Sequence, residues 1–238
     1  MSGTKSSAAV LDRSVIRVNR RTIGARLKGR ARFTTLKRAI DIAAALSLIV
    51  LLAPLLVSVA IAILIKGGAG PIIYCHKRVG RGGRPFKCLK FRTMSPDADQ
   101  ILRELLTRDP SARAEWERTQ KLRRDPRVSP IGRLLRATSL DELPRLWNVL
   151  RGEMSLVGPR PVTSGEMQKW YEALGGATSY MTVRPGITGL WQVSGRSRTT
   201  YESRVALDCQ YVKNLSLRND ALILFRTLGV LIRAEGAC

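Results

Sequence analysis

The sequence predicts a mixed, helix-rich α/β chain in which a membrane-embedded helix, broken at its middle, precedes a part built of short strands and surface helices. Three observations carry this. No charged residue occurs from Ile42 to Ile65, and Pro54 stands near the centre of that run. Basic residues flank the run on both sides. Beyond Lys66, strand-like runs alternate with glycine-rich turns and charged helical stretches.

The chain has 238 residues, 41 Lys+Arg against 18 Asp+Glu, and a formal net charge of +23, which points to an anionic partner. At 45% hydrophobic residues it has enough apolar material for a packed core. Cys75, Cys88, Cys209 and Cys238 form no CxxC pair and His76 is the one histidine. That argues against a structural zinc or a disulfide framework and for a reducing compartment. Chemistry that needs a histidine base has only His76 to draw on, so acid, base or nucleophilic roles fall to carboxylates.

In chain order, residues 1–36 are rich in Arg, Ser, Thr and Gly, hold one acidic residue, Asp12, and read as a mobile basic tail. Residues 37–66 form the membrane segment, long enough against the roughly 20 apolar residues a spanning helix needs. It starts far from Met1 without a signal-peptide cleavage site, so it is expected to be retained. Residues 1–38 carry eleven Lys/Arg, and eight more follow from Lys66 to Arg92 before the next acidic residue, Asp97. The positive-inside rule therefore asks for both ends in the cytoplasm, which a re-entrant hairpin broken at Ala53-Pro54 satisfies. An ordinary span with a proline kink is the alternative. Asp41 lies one turn inside the apolar edge and is expected to pair with Lys37 or Arg38 at headgroup depth.

Residues 67–238 form the remaining domain. GGAGP is a turn, IIYC a strand, residues 78–86 a basic glycine-rich hairpin loop, and KCLKFRTM a second strand. Charged helices are expected at 97–106 and 112–124, and further ones at 130–136, 140–150 and 166–174. A last helix, 219–233, is apolar enough either to lie on a membrane surface or to be buried in the core.

The sharpest cluster of candidate residues is ATSLDELPRLWNVLRGEMSLVGPRP, residues 137–161. Ser139 and Glu142 have capping-box spacing, and Asp141 with Glu142 would then fill a first helical turn. Pro144 fits that helix poorly unless it begins at Asp141.

KRAID with its central proline, GxxGRPF, KFRTM, SLDELP, GPRP and RPGITGLWQVSGR, in this order, resemble the bacterial monotopic phosphoglycosyl transferases, from about Lys37 to the C-terminus. The resemblance implies a re-entrant membrane helix and a compact α/β catalytic part on the cytoplasmic face of the bacterial inner membrane. It also implies transfer of a sugar 1-phosphate from a UDP-sugar to undecaprenyl phosphate with release of UMP. A hexose such as galactose or glucose for exopolysaccharide synthesis is the expected cargo. Asp141 resembles the family's nucleophile; an aspartate, with a reference pKa of about 3.9, is ionised without a separate base. Asp141 is also implied as a ligand of Mg2+, with Glu142 supporting the site. Arg136 corresponds to an arginine near the acceptor phosphate, and Arg160, between two prolines, can hold a fork toward a donor phosphate. Lys90, Arg92 and Asp208 match other functional positions. His76 departs from the family pattern, where glutamine is expected, and the multispan N-terminal extension of larger relatives is not expected here.

Two rival readings remain: a membrane-tethered nucleic-acid binder, motivated by the net charge, and a non-enzymatic scaffold on anionic lipid, for which the basic tail and apolar hairpin suffice. No nucleic-acid motif is present and aromatic residues are only 5%, so nucleic acid is not expected as a partner.

Overall fold

The computed structural model describes residues 20–68, 70–119, 122–195 and 199–232. Helix α1 (Arg20–Leu51) and helix α2 (Ala53–Lys66) meet at Leu52 with a bend of 62°. The break lies just before the expected dipeptide because Pro54 occupies the first turn of α2, where no backbone donor is needed. No single helix among the described residues is long and apolar enough to cross a membrane; the bent pair together has that length and composition. Residues 20–36, expected as a tail, continue α1. They contain no proline and several good helix formers, so nothing stops propagation from the stable helix beyond them. The rest of that tail, 1–19, lies outside the described residues.

Strands β1 (Ile73–Val79) and β2 (Pro85–Phe91) form the expected hairpin, antiparallel with Ile73 opposite Phe91 and Val79 opposite Pro85. Gly82 and Gly83 take positive φ in its turn. Helices α3 (Ala98–Arg108) and α4 (Pro110–Thr119) follow, then α5 (Pro130–Ala137), capped by Ser129, whose hydroxyl accepts from the Gly132 amide at 3.0 Å. The helix expected at 140–150 is split by Pro144 into a 3-10 turn, Leu140–Glu142, and helix α6 (Arg145–Arg151). Next come β3 (Ser155–Val157) and the short α7 (Ser164–Glu166), which widens into a π turn over Met167–Glu172. The chain continues through α8 (Ala177–Met181), β4 (Gly186–Thr188), α9 (Leu190–Val193), α10 (Tyr201–Lys213) and α11 (Leu217–Ile232). β3 and β4 pair in parallel, Ser155 opposite Gly186 and Val157 opposite Thr188. Helix α10 and this parallel pair were not legible. The buried face of α10 is Arg204, Val205, Asp208 and Tyr211, so charged residues interrupt its apolar stripe.

Three apolar clusters fix where the bent helix pair sits. Ala45 and Ile49 of α1 pack on Leu146, Val149 and Leu150 of α6 and on Leu156 of β3. Val59 and Ile63 of α2 pack with Phe91, Leu135, Leu140 and Leu143. Both arms therefore hold the short turn that carries Asp141, one through α6 and the other directly. Val79, Val162, Met167, Tyr171, Tyr180 and Val205 form the third cluster. On α11, Ile223 is buried while Phe225 and Leu228 stay exposed, so the helix presents one face to the core and an apolar face outward.

Asp41 is satisfied by protein rather than by headgroup-level pairing alone. Its carboxylate accepts from Ser155 Oγ at 2.7 Å and from the Leu156 amide at 3.2 Å. Lys37 reaches it at 3.7 Å, but its short partner is Asp220 of α11 at 2.6 Å. Arg38 donates instead to the Leu150 carbonyl at the end of α6, at 3.1 Å. The physical reason is α11: it brings a second buried carboxylate to Lys37, while β3 offers Asp41 two donors that no flanking lysine could match.

Candidate active site

Asp141 sits on the 3-10 turn between α5 and α6 and is buried. The expected Ser139 cap is absent: Ser139 has φ 59°, ψ 14° and its side chain caps nothing. It is the one non-glycine residue with positive φ among those described. This left-handed residue is what turns the chain from α5 into the carboxylate pair. The capping box in this protein is elsewhere, between Thr163 and Glu166.

Lys90, on β2, bridges the pair: its Nζ donates to Asp141 Oδ2 at 3.2 Å and to Glu142 Oε1 at 3.3 Å. Glu142 also meets Arg145 Nη1 at 2.8 Å and Arg160 Nη1 at 3.6 Å. Burial alone would push the Glu142 carboxyl up, but the charges of Arg145, Arg160 and Lys90 bring it down to about 2. Burial, then repulsion from Arg145, lowers the Lys90 ammonium from its ordinary value. Strand β2 is held to α6 by Asn148, whose Oδ1 accepts from the Leu89 amide at 2.9 Å and whose Nδ2 donates to the Lys87 carbonyl at 2.8 Å. That clamp fixes the distance between Lys90 and the carboxylates.

Of the predicted residues, Lys90, Asp141, Glu142 and Arg160 come together. Arg136 stands half-buried at the end of α5, its Nε donating to Thr93 Oγ1 at 3.0 Å, and its charge interacts with Asp141. Arg92 is buried, and its Nη2 donates to the Gly68 carbonyl at 2.7 Å, which ties the turn after α2 to the end of β2. Asp208 belongs to a second buried cluster, accepting from Tyr171 Oη at 2.5 Å, with Oδ1 buried and unpartnered among the described residues. Burial pushes its carboxyl up to about 6, against the Tyr171 hydrogen bond and the charges of Arg204 and Arg160. Arg160 is thus felt in both clusters.

Arg145 and Arg204 were not predicted. Arg145 is 3% exposed and follows Glu142 by three positions, a spacing that puts the two on one helical face and could have found it. Arg204 lies with its Cζ 4.8 Å from the Trp191 ring and 5.3 Å from Tyr201, and pairs with Glu166 at 3.5 Å. Tyr201 is a neighbour on the same helix, but the ion-pair partner Glu166 and the Trp191 ring come from other elements, so no local charge pattern marks Arg204. His76 is half-buried on β1, with Nδ1 3.1 Å from Arg78 Nη2; burial and then Arg78 lower its pKa.

Chemically, the site is a carboxylate pair among the basic side chains of Lys90, Arg145 and Arg160. Glu142 forms ion pairs with three cations, whereas Asp141 forms one, with Lys90, among the described residues and feels Arg136 and Arg145 at longer range.

Comparison with known proteins bears on this arrangement. Over 202 residues the chain is 54% identical to the UDP-galactose-lipid carrier transferase of Erwinia amylovora, an alignment covering 85% of this chain and 41% of that protein. It is 48% identical over 202 residues to the undecaprenyl-phosphate galactose phosphotransferase of Salmonella typhimurium, covering 85% and 41%. It is 45% identical over 201 residues to the exopolysaccharide production protein ExoY of Rhizobium meliloti, covering 84% and 87%. The chain thus spans about two-fifths of the length of the first two and most of the third. The family model described as Bacterial sugar transferase matches residues 32–234, from within α1 to beyond α11. The chain belongs to the bacterial sugar transferase family.

Proposed function

We propose that this protein transfers a hexose 1-phosphate, galactose or glucose, from a UDP-sugar to undecaprenyl phosphate, through a covalent intermediate on Asp141. We place the reaction at the cytoplasmic face of the bacterial inner membrane, as an initiating step of exopolysaccharide or related glycoconjugate synthesis. The observation that carries the reading is the unequal occupation of two adjacent carboxylates. Three cations pair with Glu142, while Asp141 forms one ion pair, through Oδ2. The names of the Erwinia, Salmonella and Rhizobium relatives support the substrate classes.

In this mechanism an Asp141 oxygen attacks the phosphorus that bears the sugar. The bond from that phosphorus to the bridging oxygen breaks, and UMP leaves with the oxygen. The product on the enzyme is an acyl phosphate, still an activated phosphoryl group. An oxygen of undecaprenyl phosphate then attacks the same phosphorus and Asp141 departs as a carboxylate, leaving a polyprenyl diphosphate sugar. No proton transfer is needed in either step. Lys90 and Arg160 lie where they offset the charge of the donor diphosphate, and Glu142 is a positioning residue that keeps both in place.

Mg2+ fits this site. It binds through one or two carboxylates with substrate phosphates completing its shell. Asp141 would supply such a carboxylate, with Glu142 beside it. Bound there, it would neutralise charge on the diphosphate.

The bent helix has a role in this reading. From Lys37 to Leu51 and from Ala53 to Lys66 each arm is about 20 Å long. Set as a symmetric V with the 62° bend, the arms descend only about 10 Å below their ends, against a hydrocarbon core of about 30 Å. Both ends also pack on the same globular body. A re-entrant element held this way keeps Asp141 at headgroup level, where the acceptor's phosphate lies.

The test is to incubate the purified full chain with Mg2+ and UDP-galactose or UDP-glucose, without acceptor, and to read the intact mass. A hexose-phosphate adduct that maps to Asp141 is expected, with ping-pong kinetics once acceptor is supplied. Undiminished transfer by Asp141→Asn would overturn the mechanism.

A further inference from the structure

A second cationic centre lies beside the middle of α1, lined by none of the residues around Asp141. It is a cavity of about 40 Å³ whose walls include Lys37, Arg38, Asp41, Arg81 and Arg184. That volume exceeds the roughly 10–15 Å³ one water needs, so it admits a group of several heavy atoms. Four cationic residues and one carboxylate residue are among those that line it.

The carboxylate does not balance them. Asp41 already accepts from Ser155 and Leu156, and Lys37 is committed to Asp220 and Asp41. The three arginines are left to one another. Arg38 uses Nη2 on the Leu150 carbonyl, while its Nη1 is buried without a hydrogen-bond partner among the described residues. Arg184 uses Nε on the Gly152 carbonyl at 2.7 Å. Burial first, then repulsion from Arg38 and Arg81, lowers the Arg184 guanidinium from its ordinary value. Capping the end of α6 accounts for one nitrogen of each of these two arginines. It does not account for the orphaned Arg38 Nη1, or for Arg81 arriving from the β1–β2 turn. A buried, unpaired guanidinium nitrogen is costly unless something anionic meets it.

We propose that this cavity is an anion site built for a phosphate group, distinct from the site at Asp141. A phosphate offers several acceptor oxygens to a set of guanidinium forks, the geometry arginine serves best. Two sources carry that chemistry: the headgroup of an anionic phospholipid and free phosphate. Apolar Phe33 and Leu215 also line the cavity and would suit the lipid's glycerol and first methylenes.

The test uses the full chain in neutral detergent, titrated with phosphatidylglycerol, with diacylglycerol of the same chains, and with inorganic phosphate, and reads dissociation constants. Phosphatidylglycerol is expected to bind, and Arg81→Gln and Arg184→Gln to weaken it about tenfold each. Arg84→Gln, an exposed neighbour on the same turn outside the cavity, is expected to change nothing. Should Arg184→Gln fail to fold for want of its bond to Gly152, exposed Arg81 still decides the matter. Binding of phosphatidylglycerol but not inorganic phosphate assigns the site to the headgroup; binding of both, with the same arginine dependence, assigns it to phosphate alone. Equal binding of diacylglycerol, no binding of either phosphate, or insensitivity to Arg81→Gln overturns the proposal. Equal loss in Arg84→Gln also overturns it, since that is diffuse surface charge. None of these readouts depends on sugar-phosphate transfer.

Discussion

Two carboxylates of this protein, the half-buried Glu142 and the buried Asp208, are pushed in opposite directions, and the difference is testable by pH. Glu142 is held at about 2, below its ordinary 4.5, because three cations outweigh burial. Its contribution to stability is therefore present above pH 4.5 and is lost as pH falls toward 2. Asp208 is raised from 3.8 to about 6, because burial outweighs Tyr171, Arg204 and Arg160. Its contribution is present below pH 3.8 and is lost as pH rises through 6. Asp208→Asn keeps an acceptor for Tyr171 and removes the titration. Thermal melts from pH 4 to 7 should show the variant gaining on the wild type by on the order of 3 kcal/mol. A difference that stays constant across that range would sink the assignment.

At the scale of elements, the site is set by how α5 docks on the end of β2. Gly132 in α5 leaves room for this: a Cβ there would stand 1.9 Å from the Thr93 carbonyl oxygen and 2.7 Å from its carbon, both backbone. Neither element can yield without moving Arg136, which holds Thr93 by its hydroxyl. Gly132→Ala is expected to cost about 1–3 kcal/mol from overpacking and to lower transfer activity with it, read by denaturant melts and steady-state assay. Gly165→Ala, with open space around its Cβ, is the matched control. The same scale explains which helices were readable. Those at 97–106 and 130–136 carry ordinary charged or apolar periodicity. Helix α10 hides its period because Arg204 and Asp208 occupy buried positions. The capping-box reading of Ser139 failed because Pro144 delays α6, so the carboxylates ride a separate turn rather than the first turn of a helix.

For the whole molecule, topology is the decisive matter. Leu36→Cys and Lys66→Cys, each exposed and at opposite ends of the bent pair, are introduced singly with the native cysteines replaced by serine. An impermeant maleimide should reach both from the cytoplasmic face and neither from the other; labelling from opposite faces would mean a crossing helix and would remove the reason for placing Asp141 at headgroup level. The sequence by itself determined the broken apolar segment, the β1–β2 hairpin and the adjacency of Asp141 and Glu142 on one short turn after α5, because charge-free runs, glycine turns and short motifs are local and survive without neighbours. Only the tertiary structure decided that Lys90 bridges Asp141 and Glu142, that Arg160 joins Arg145 on Glu142, and that Lys37 pairs with Asp220. Those contacts join residues up to 183 positions apart, and which charge meets which is set by the packing of the α1 and α2 arms on the globular part, a long-range outcome that no window of sequence contains.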